Sequence, residues 1–308
     1  MEGLDSGAKV LVCAALIVVA RLGCAQFTDP RNYENFPVGV NQIELAYGYA
    51  RADQSVDPAI VIEGARLNLN QWTITYTRYF GLFGKTAWVA PSVPFAVLDG
   101  VVSGTSVSGS VGGAGDSGYE FAWLVKGAPA LNPAEFTDYK PGTVVGVTLS
   151  VTAPTGLYKA DRILNLGSDR WSFRPEIGMN HPFGPKQRWA LDAYANSYFY
   201  TDNSSYQGTQ VLRQGPLPAV EGHISYMFRE NVMGSLDARC SFRGDTSING
   251  IGQNDSQKNF ILGTEWIIAL NAKHELTFLF ADALVHVNGP SAVGVSARYD
   301  YYWGRGYK

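Results

Sequence analysis

Three groups of residues in this 308-residue chain have types and spacings that chemistry uses. Gly115-Asp116-Ser117-Gly118 matches part of the nucleophile motif of serine proteases. In the chymotrypsin-like order the histidine base precedes that serine, whereas His181, His223, His274 and His286 all follow it, and Tyr119 and Glu120 break the motif. His223 and Ser225 would share one face of a strand, as a base and a nucleophile must, but no Asn or Asp stands beside them to orient the imidazole. Asp245, Ser247, Asn249 and Gly250 imitate the start of a calcium loop, yet position twelve is Ser256 where the loop needs Glu, so an external polar turn is expected. The histidines and Cys13, Cys24 and Cys240 form no compact metal-ligand set. The residues therefore point to no catalytic centre, no cofactor and no metal.

What remains is charge in alternating positions. Arg174 with Glu176, and Arg298 with Asp300, stand two residues apart, which in a strand puts both members on one face. Glu44, Asp192, Asp237, Arg239 and Glu265 sit in segments of the same kind. From Asn41 onward the hydrophobic period is two. Val145, Val147, Leu149 and Val151 oppose Gly146, Thr148, Ser150 and Thr152. Trp171, Phe173, Ile177 and Met179 oppose Ser172, Arg174, Glu176 and Gly178; Leu236, Ala238, Cys240 and Phe242 oppose Ser235, Asp237, Arg239, Ser241 and Arg243. Phe260 to Ile268 and Val293 to Trp303 repeat the pattern. The apolar faces carry no charge, so the two faces meet environments of very different dielectric.

Composition narrows the class. The chain is 46% hydrophobic but only 17% charged, against about 25% for an average soluble protein. Its aromatic and apolar content excludes disorder, Gly without a three-residue period excludes a collagen-like fibre, and a net charge of −3 without a basic run argues against nucleic-acid binding. A spanning helix needs about 20 apolar residues. The longest charge-free apolar run, Val10 to Ala20, falls well short and sits where a secretory signal sits, with Lys9 before it and Gly23-Cys24-Ala25 after it. Residues 1–25 are thus expected to be a signal peptide, leaving Cys240 as the one thiol of an exported chain.

A soluble β-sandwich also alternates, but with strands of about 5 or 6 residues and outer faces rich in Lys and Glu. Here the strands run to about 10 residues, the polar faces hold Gly, Ser and Thr, and Tyr and Trp gather near strand ends, as in a transmembrane barrel. The expected fold is all-β: an antiparallel up-and-down barrel over residues 41–303, preceded by a periplasmic segment, 26–40, and followed by a tail, 304–308. Twelve strands are expected: Asn41–Arg51, Asn70–Phe80, Lys85–Val97, Tyr119–Lys126, Thr143–Ala153, Arg170–His181, Gln187–Tyr200, Ala219–Phe228, Val232–Arg243, Lys258–Leu270, Ala272–Ala283 and Ala292–Trp303. Their connections alternate long and short, with Gly127 to Gly142 the one exception, which puts both termini in the periplasm. Trp171 and Tyr200 then fall in the outer aromatic girdle, and Trp189 and Trp303 in the inner one.

From Pro154 to Pro216 the chain resembles an outer-membrane family linked to the meta-cleavage pathway of phenol degradation. The resemblance rests on Pro154-Thr155-Gly156-Leu157-Tyr158, Asn165-Leu166-Gly167, Arg170-Trp171-Ser172-Phe173-Arg174-Pro175-Glu176-Ile177-Gly178, Phe199-Tyr200-Thr201-Asp202-Asn203 and Gln214-Gly215-Pro216. It extends from about Gln42 to Trp303, with Gly127-Ala128-Pro129 and Ser247-Ile248-Asn249-Gly250 in fitting places; Asp169 stands where Asn is expected. The resemblance implies a channel for small hydrophobic or aromatic compounds.

The expectation is therefore a bacterial outer-membrane channel for passive uptake. Glu44, Arg174, Glu176, Asp192, Asp237, Arg239, Glu265, Arg298 and Asp300 are its candidate lumen-lining residues. Their paired signs suit either a ladder of ion pairs filling the bore or a constriction selecting solutes. The stretch Leu98 to Gly118 is expected to be a flexible external loop or an inward plug. Membrane lipids, lipopolysaccharide, the barrel-assembly machinery and a small-molecule solute are the partners implied. A structural or adhesive barrel with ligand-binding external loops is the alternative, and an outer-membrane lipase using His223 and Ser225 a further one.

Overall fold

The computed structural model describes residues 27–52, 65–102, 108–162, 164–288 and 291–307. The expected signal peptide lies outside them. In chain order the strands are β1 (Val40–Ala52), β2 (Ala65–Leu82), β3 (Lys85–Val102), β4 (Ser108–Ala114), β5 (Ser117–Lys126) and β6 (Val144–Ala153). There follow β7 (Ser172–Phe183), β8 (Trp189–Tyr200), β9 (Asn203–Tyr206), β10 (Gln210–Gln214), β11 (Leu217–Arg229) and β12 (Val232–Arg243). The last are β13 (Thr246–Ile248), β14 (Ile251–Gly252), β15 (Gln257–Asn271), β16 (His274–Val287) and β17 (Ala292–Gly304). A short helix, α1 (Pro133–Phe136), interrupts the β5–β6 connection.

Twelve of these strands pair antiparallel with their neighbours, and β1 pairs with both β2 and β17, which closes the sheet into a barrel with no free edge around the wall. Alternation decides the register. Leu45, Trp72, Ile74, Phe95, Phe121, Ile177, Leu191, Ile224 and Leu236 stand exposed on the outside, Leu236 at 67%. Glu176, Asp192, Glu221, Asp237, Arg239, Glu265, Arg298 and Asp300 are buried on the inside. An exposed belt of this size is an aggregation hazard in water and the required surface in lipid. The protein is a transmembrane β-barrel.

Three expectations change. Of the stretch Leu98 to Gly118, expected to be a loop or a plug, residues 103–107 lie outside the described residues and the rest is strand: β3 runs on to Val102, and β4 returns along it from Val101↔Ser108 to Phe95↔Ala114. Leu98 and Val111 turn inward there and are buried under the β6–β7 connection. The second strand begins at Ala65, not Asn70. Tyr200 belongs to the inside, not the outer girdle, because Arg170 lies 4.5 Å over its ring; Phe199 faces out.

The external side is roofed. β10 pairs with both β9 and β13, and β13 with β14, which zips the β8–β11 and β12–β15 connections into a second small sheet. The β6–β7 connection folds over the mouth, where Leu157, Leu164 and Leu166 pack on Leu67, Leu69, Ala96, Leu98 and Val111. Asp116 ties this connection down, its carboxylate accepting from Gly156 N (2.8 Å), Ser168 N (2.8 Å) and Ser168 Oγ (2.6 Å).

Candidate functional site: the lumen

The segment 27–39, expected as a periplasmic extension, lies inside the barrel. Its polar groups meet the inward strand faces, and that is the physical reason it stays there: the buried carboxylates need donors, and this segment supplies them. Thr28 donates through N to Glu221 Oε2 (2.8 Å) and through Oγ1 to Glu176 Oε2 (2.7 Å). Asp29 accepts from Arg298 Nη1 at 2.6 Å. Arg31 donates through Nε to Ser225 Oγ (2.9 Å) and through Nη2 to the Arg188 carbonyl (3.1 Å). The Tyr33 hydroxyl donates to Glu176 Oε1 (2.9 Å) and lies 2.8 Å from Thr148 Oγ1. Burial, then the charge of Glu176, pushes the Tyr33 phenol up, so it remains a donor.

Tyr33 has a seat cut for it. A Cβ added to Gly178 would stand 2.1 Å from Tyr33 Cε2, and one added to Gly146 would stand 2.3 Å from Cδ1. The two glycines are register partners on β6 and β7, and the ring lies over them against Leu124, Trp88 and Tyr194. The β5–β6 connection clasps the same segment lower down. Asn35 Nδ2 donates to the Pro129 carbonyl (3.1 Å), Val38 N donates to the Leu131 carbonyl (2.8 Å), and Thr86 Oγ1 donates to Asn35 Oδ1 (2.7 Å). The one long connection on the periplasmic side thus has a task that a tight turn could not perform. The tail joins this end, with Tyr307 against Phe36 and Tyr302 at ring separations of 6.1 and 6.4 Å.

Two networks of ion pairs and hydrogen bonds hold most of the nine candidate residues. In the first, Arg239 on β12 pairs with Glu221 on β11, Asn196 donates to both Glu221 and Glu176 at 2.8 Å, and Asn180 donates to Asp192 at 2.7 Å. Arg174, on the same inner face, lies 5.8 Å over the Tyr198 ring. His223 Nδ1 stands 2.8 Å from Asp237 Oδ1, which also accepts through Oδ2 from Ser235 Oγ (3.1 Å). In the second, Arg298 on β17 stands within 4 Å of four carboxylates: Asp29 (2.6 Å), Asp300 (3.1 Å), Glu44 (3.4 Å) and Glu265 (3.9 Å). Gln42 Nε2 donates to Asp300 Oδ1 at 2.7 Å.

Reading along the chain missed Glu221, Glu120 and the inserted segment. Glu221 was visible, since it precedes His223 and Ser225 by two and four residues on one face. Asp237 supplies the imidazole partner that local sequence lacked, because β12 runs beside β11 with Asp237 opposite His223. The histidine and Ser225 are nonetheless buried inside the barrel, and Ser225 Oγ accepts from Arg31. Among the described residues no group of His, Cys, Asp and Glu is arranged to hold a metal.

The segment does not fill the bore. Between it and the barrel wall lies a cavity of about 790 Å³, which runs along β1, β2, β3 and β5 and reaches β15, β16 and β17 at Ala269, Glu275 and Arg298. Gln42, Glu44, Gln71, Thr73, Thr75, Thr77, Ser92 and Glu120 line it on the wall side, and Phe36, Tyr79, Trp88 and Tyr302 also contribute. Trp88 Nε1 and Ser150 Oγ donate to Glu120 at 3.0 and 3.1 Å.

A closed barrel with an apolar belt, a polar charged interior and a residual cavity defines the class of outer-membrane channel and porin-like barrels. The chain belongs to the family described as "Putative MetA-pathway of phenol degradation", which it matches over residues 50–299. In fold it is similar to an outer-membrane channel from Pseudomonas putida F1, with a TM-score of 0.76 and 22% identity over 90% of this chain and 100% of that one. It is also similar to the beta domain of the Bordetella autotransporter BrkA, with a TM-score of 0.52 and 12% identity over 85% of this chain and 99% of that one. No curated protein matches it in sequence.

Proposed function

We propose that the protein is a passive outer-membrane conduit for small organic compounds, hydrophobic or aromatic in character, with a bore narrowed by its own N-terminal segment. The observation that carries this reading is the cavity left between residues 27–36 and the barrel wall, lined by both polar groups and aromatic rings. Membership of a family tied to phenol degradation supports the aromatic part of the proposal. The outward belt meets membrane lipids, with lipopolysaccharide on the external side, and insertion uses the barrel-assembly machinery. Passage needs no chemistry, so the buried His223, Asp237 and Ser225 serve the ionic network and not hydrolysis.

The test is uptake of phenol at low external concentration by cells lacking the gene, with and without the full chain restored. Slower uptake, recovered on restoration, is expected. Unchanged uptake together with lost surface attachment would overturn the proposal in favour of an adhesive barrel.

A further inference from the structure

Charge is unevenly divided across the lumen. On the β7, β8, β11 and β12 side the carboxylates stand among cationic groups, with Arg239 on Glu221 and Arg31 reaching over Ser225 towards Arg188. This is also the side that residues 28–33 occupy. The open side is different. Its wall on β2 is a column of neutral hydroxyls and an amide, from Gln71 through Thr73, Thr75 and Thr77.

Among the described residues, six carboxylates and two guanidinium groups line the cavity. Of the two cations, Arg298 is shared among Asp29, Glu44, Glu265 and Asp300. Glu120 accepts from Trp88 Nε1 and Ser150 Oγ, and the same hydroxyl accepts from Arg174 Nη2 at 3.4 Å, so the nearest guanidinium reaches Glu120 only through Ser150. Carboxylates in a narrow bore with low-dielectric walls focus a negative potential along the path and raise the local concentration of cations. Tyr79 and Trp88, which also line the cavity, add ring faces that attract cations.

We infer that solutes pass along the wall of β1, β2, β3 and β5 and that this passage prefers cations, including protonated amines, to anions, with Glu120 and Glu44 setting the preference. The inference rests on the conduit reading above and adds a charge class to it.

The experiment is the reversal potential of the purified full chain in a planar bilayer under a KCl gradient, which gives the ratio of potassium to chloride permeability. A ratio above one is expected. It should fall at least about twofold in the Glu44→Gln, Glu120→Gln double variant. Folding of each variant is checked by heat-modifiable gel mobility. Thr73→Lys, which puts a positive charge on the same wall and removes only the half-buried acceptor of Gln71 Nε2, should move the ratio towards chloride and keeps the test decisive if the double variant does not fold. Asp161→Asn, on the exposed external connection, should leave the ratio unchanged. Chloride preference in the unaltered chain, or a ratio indifferent to both wall variants, overturns the inference and leaves the conduit standing. Absence of any conductance overturns both.

Discussion

Arg298 shows how much one residue can hold. Its guanidinium joins β1, β15, β17 and the inserted segment through four carboxylates, all deep in the lumen. Removing one member of a buried ionic cluster leaves the others unpaired and costs about 3 to 5 kcal/mol. Arg298→Met should therefore lower the unfolding midpoint in detergent markedly, and more than Arg213→Met, whose ion pair with Asp202 is exposed on the external side. Equal losses in the two variants would show that the cluster is not stabilising. The nine charged candidates were legible because period-two alternation assigns a face to each residue. Which charges pair was not legible, since Glu221 and Arg239, or His223 and Asp237, become neighbours only through strand register.

At the scale of elements, the inserted segment and its clasp belong together. The seat for Tyr33 consists of an absence, two glycines whose missing side chains leave room for a ring. Gly178→Val should unseat Tyr33 and loosen residues 27–36 while leaving every lumen charge in place. Limited proteolysis from the periplasmic side should then cut near Arg31, where the unaltered chain is protected. Protection unchanged in the variant would mean that the seat does not hold the segment. The external connection has a polar fastener of its own beside its apolar packing. Asp116→Ala removes three acceptor contacts, so trypsin added to intact cells should cut the β6–β7 connection at Lys159 or Arg162 faster than in the unaltered protein.

The twelve wall strands were legible to within a few residues, because alternation over about ten positions is a strong signal, whereas the short β4, β9, β10, β13 and β14 were not. Segment 27–39 was not. It carries no periodicity, and its place is decided by partners distant in sequence, such as Glu176 and Glu221. The only hint was the long Gly127–Gly142 connection, which broke the alternation of loop lengths and proves to be the clasp. Residues 98–118 misled in the opposite direction. Their Gly and Ser content suggests a loop, while β3 and β4 pair at Phe95–Val101 and Ser108–Ala114.

For the molecule as a whole, the low charge and the absence of a long hydrophobic run have one origin. Lipid sees every second residue, so half of each strand is cleared of charge and the rest carries it inward. Leu236, in the middle of β12 and 67% exposed, tests this directly. In water a Leu→Arg change at an exposed site would be nearly neutral, but in a bilayer it costs about 2 to 4 kcal/mol near the midplane. Leu236→Arg should reduce the yield of heat-modifiable, folded barrel in the membrane, and normal assembly would argue against a lipid-facing belt.

The central claim is an outer-membrane conduit narrowed by its own N-terminal segment, and single-channel conductance tests it most directly. The purified full chain should give small, discrete conductance steps in a planar bilayer, and a chain lacking residues 27–36 should give larger ones. Equal steps would show that the segment does not narrow the path, and no steps from either folded protein would contradict the conduit itself.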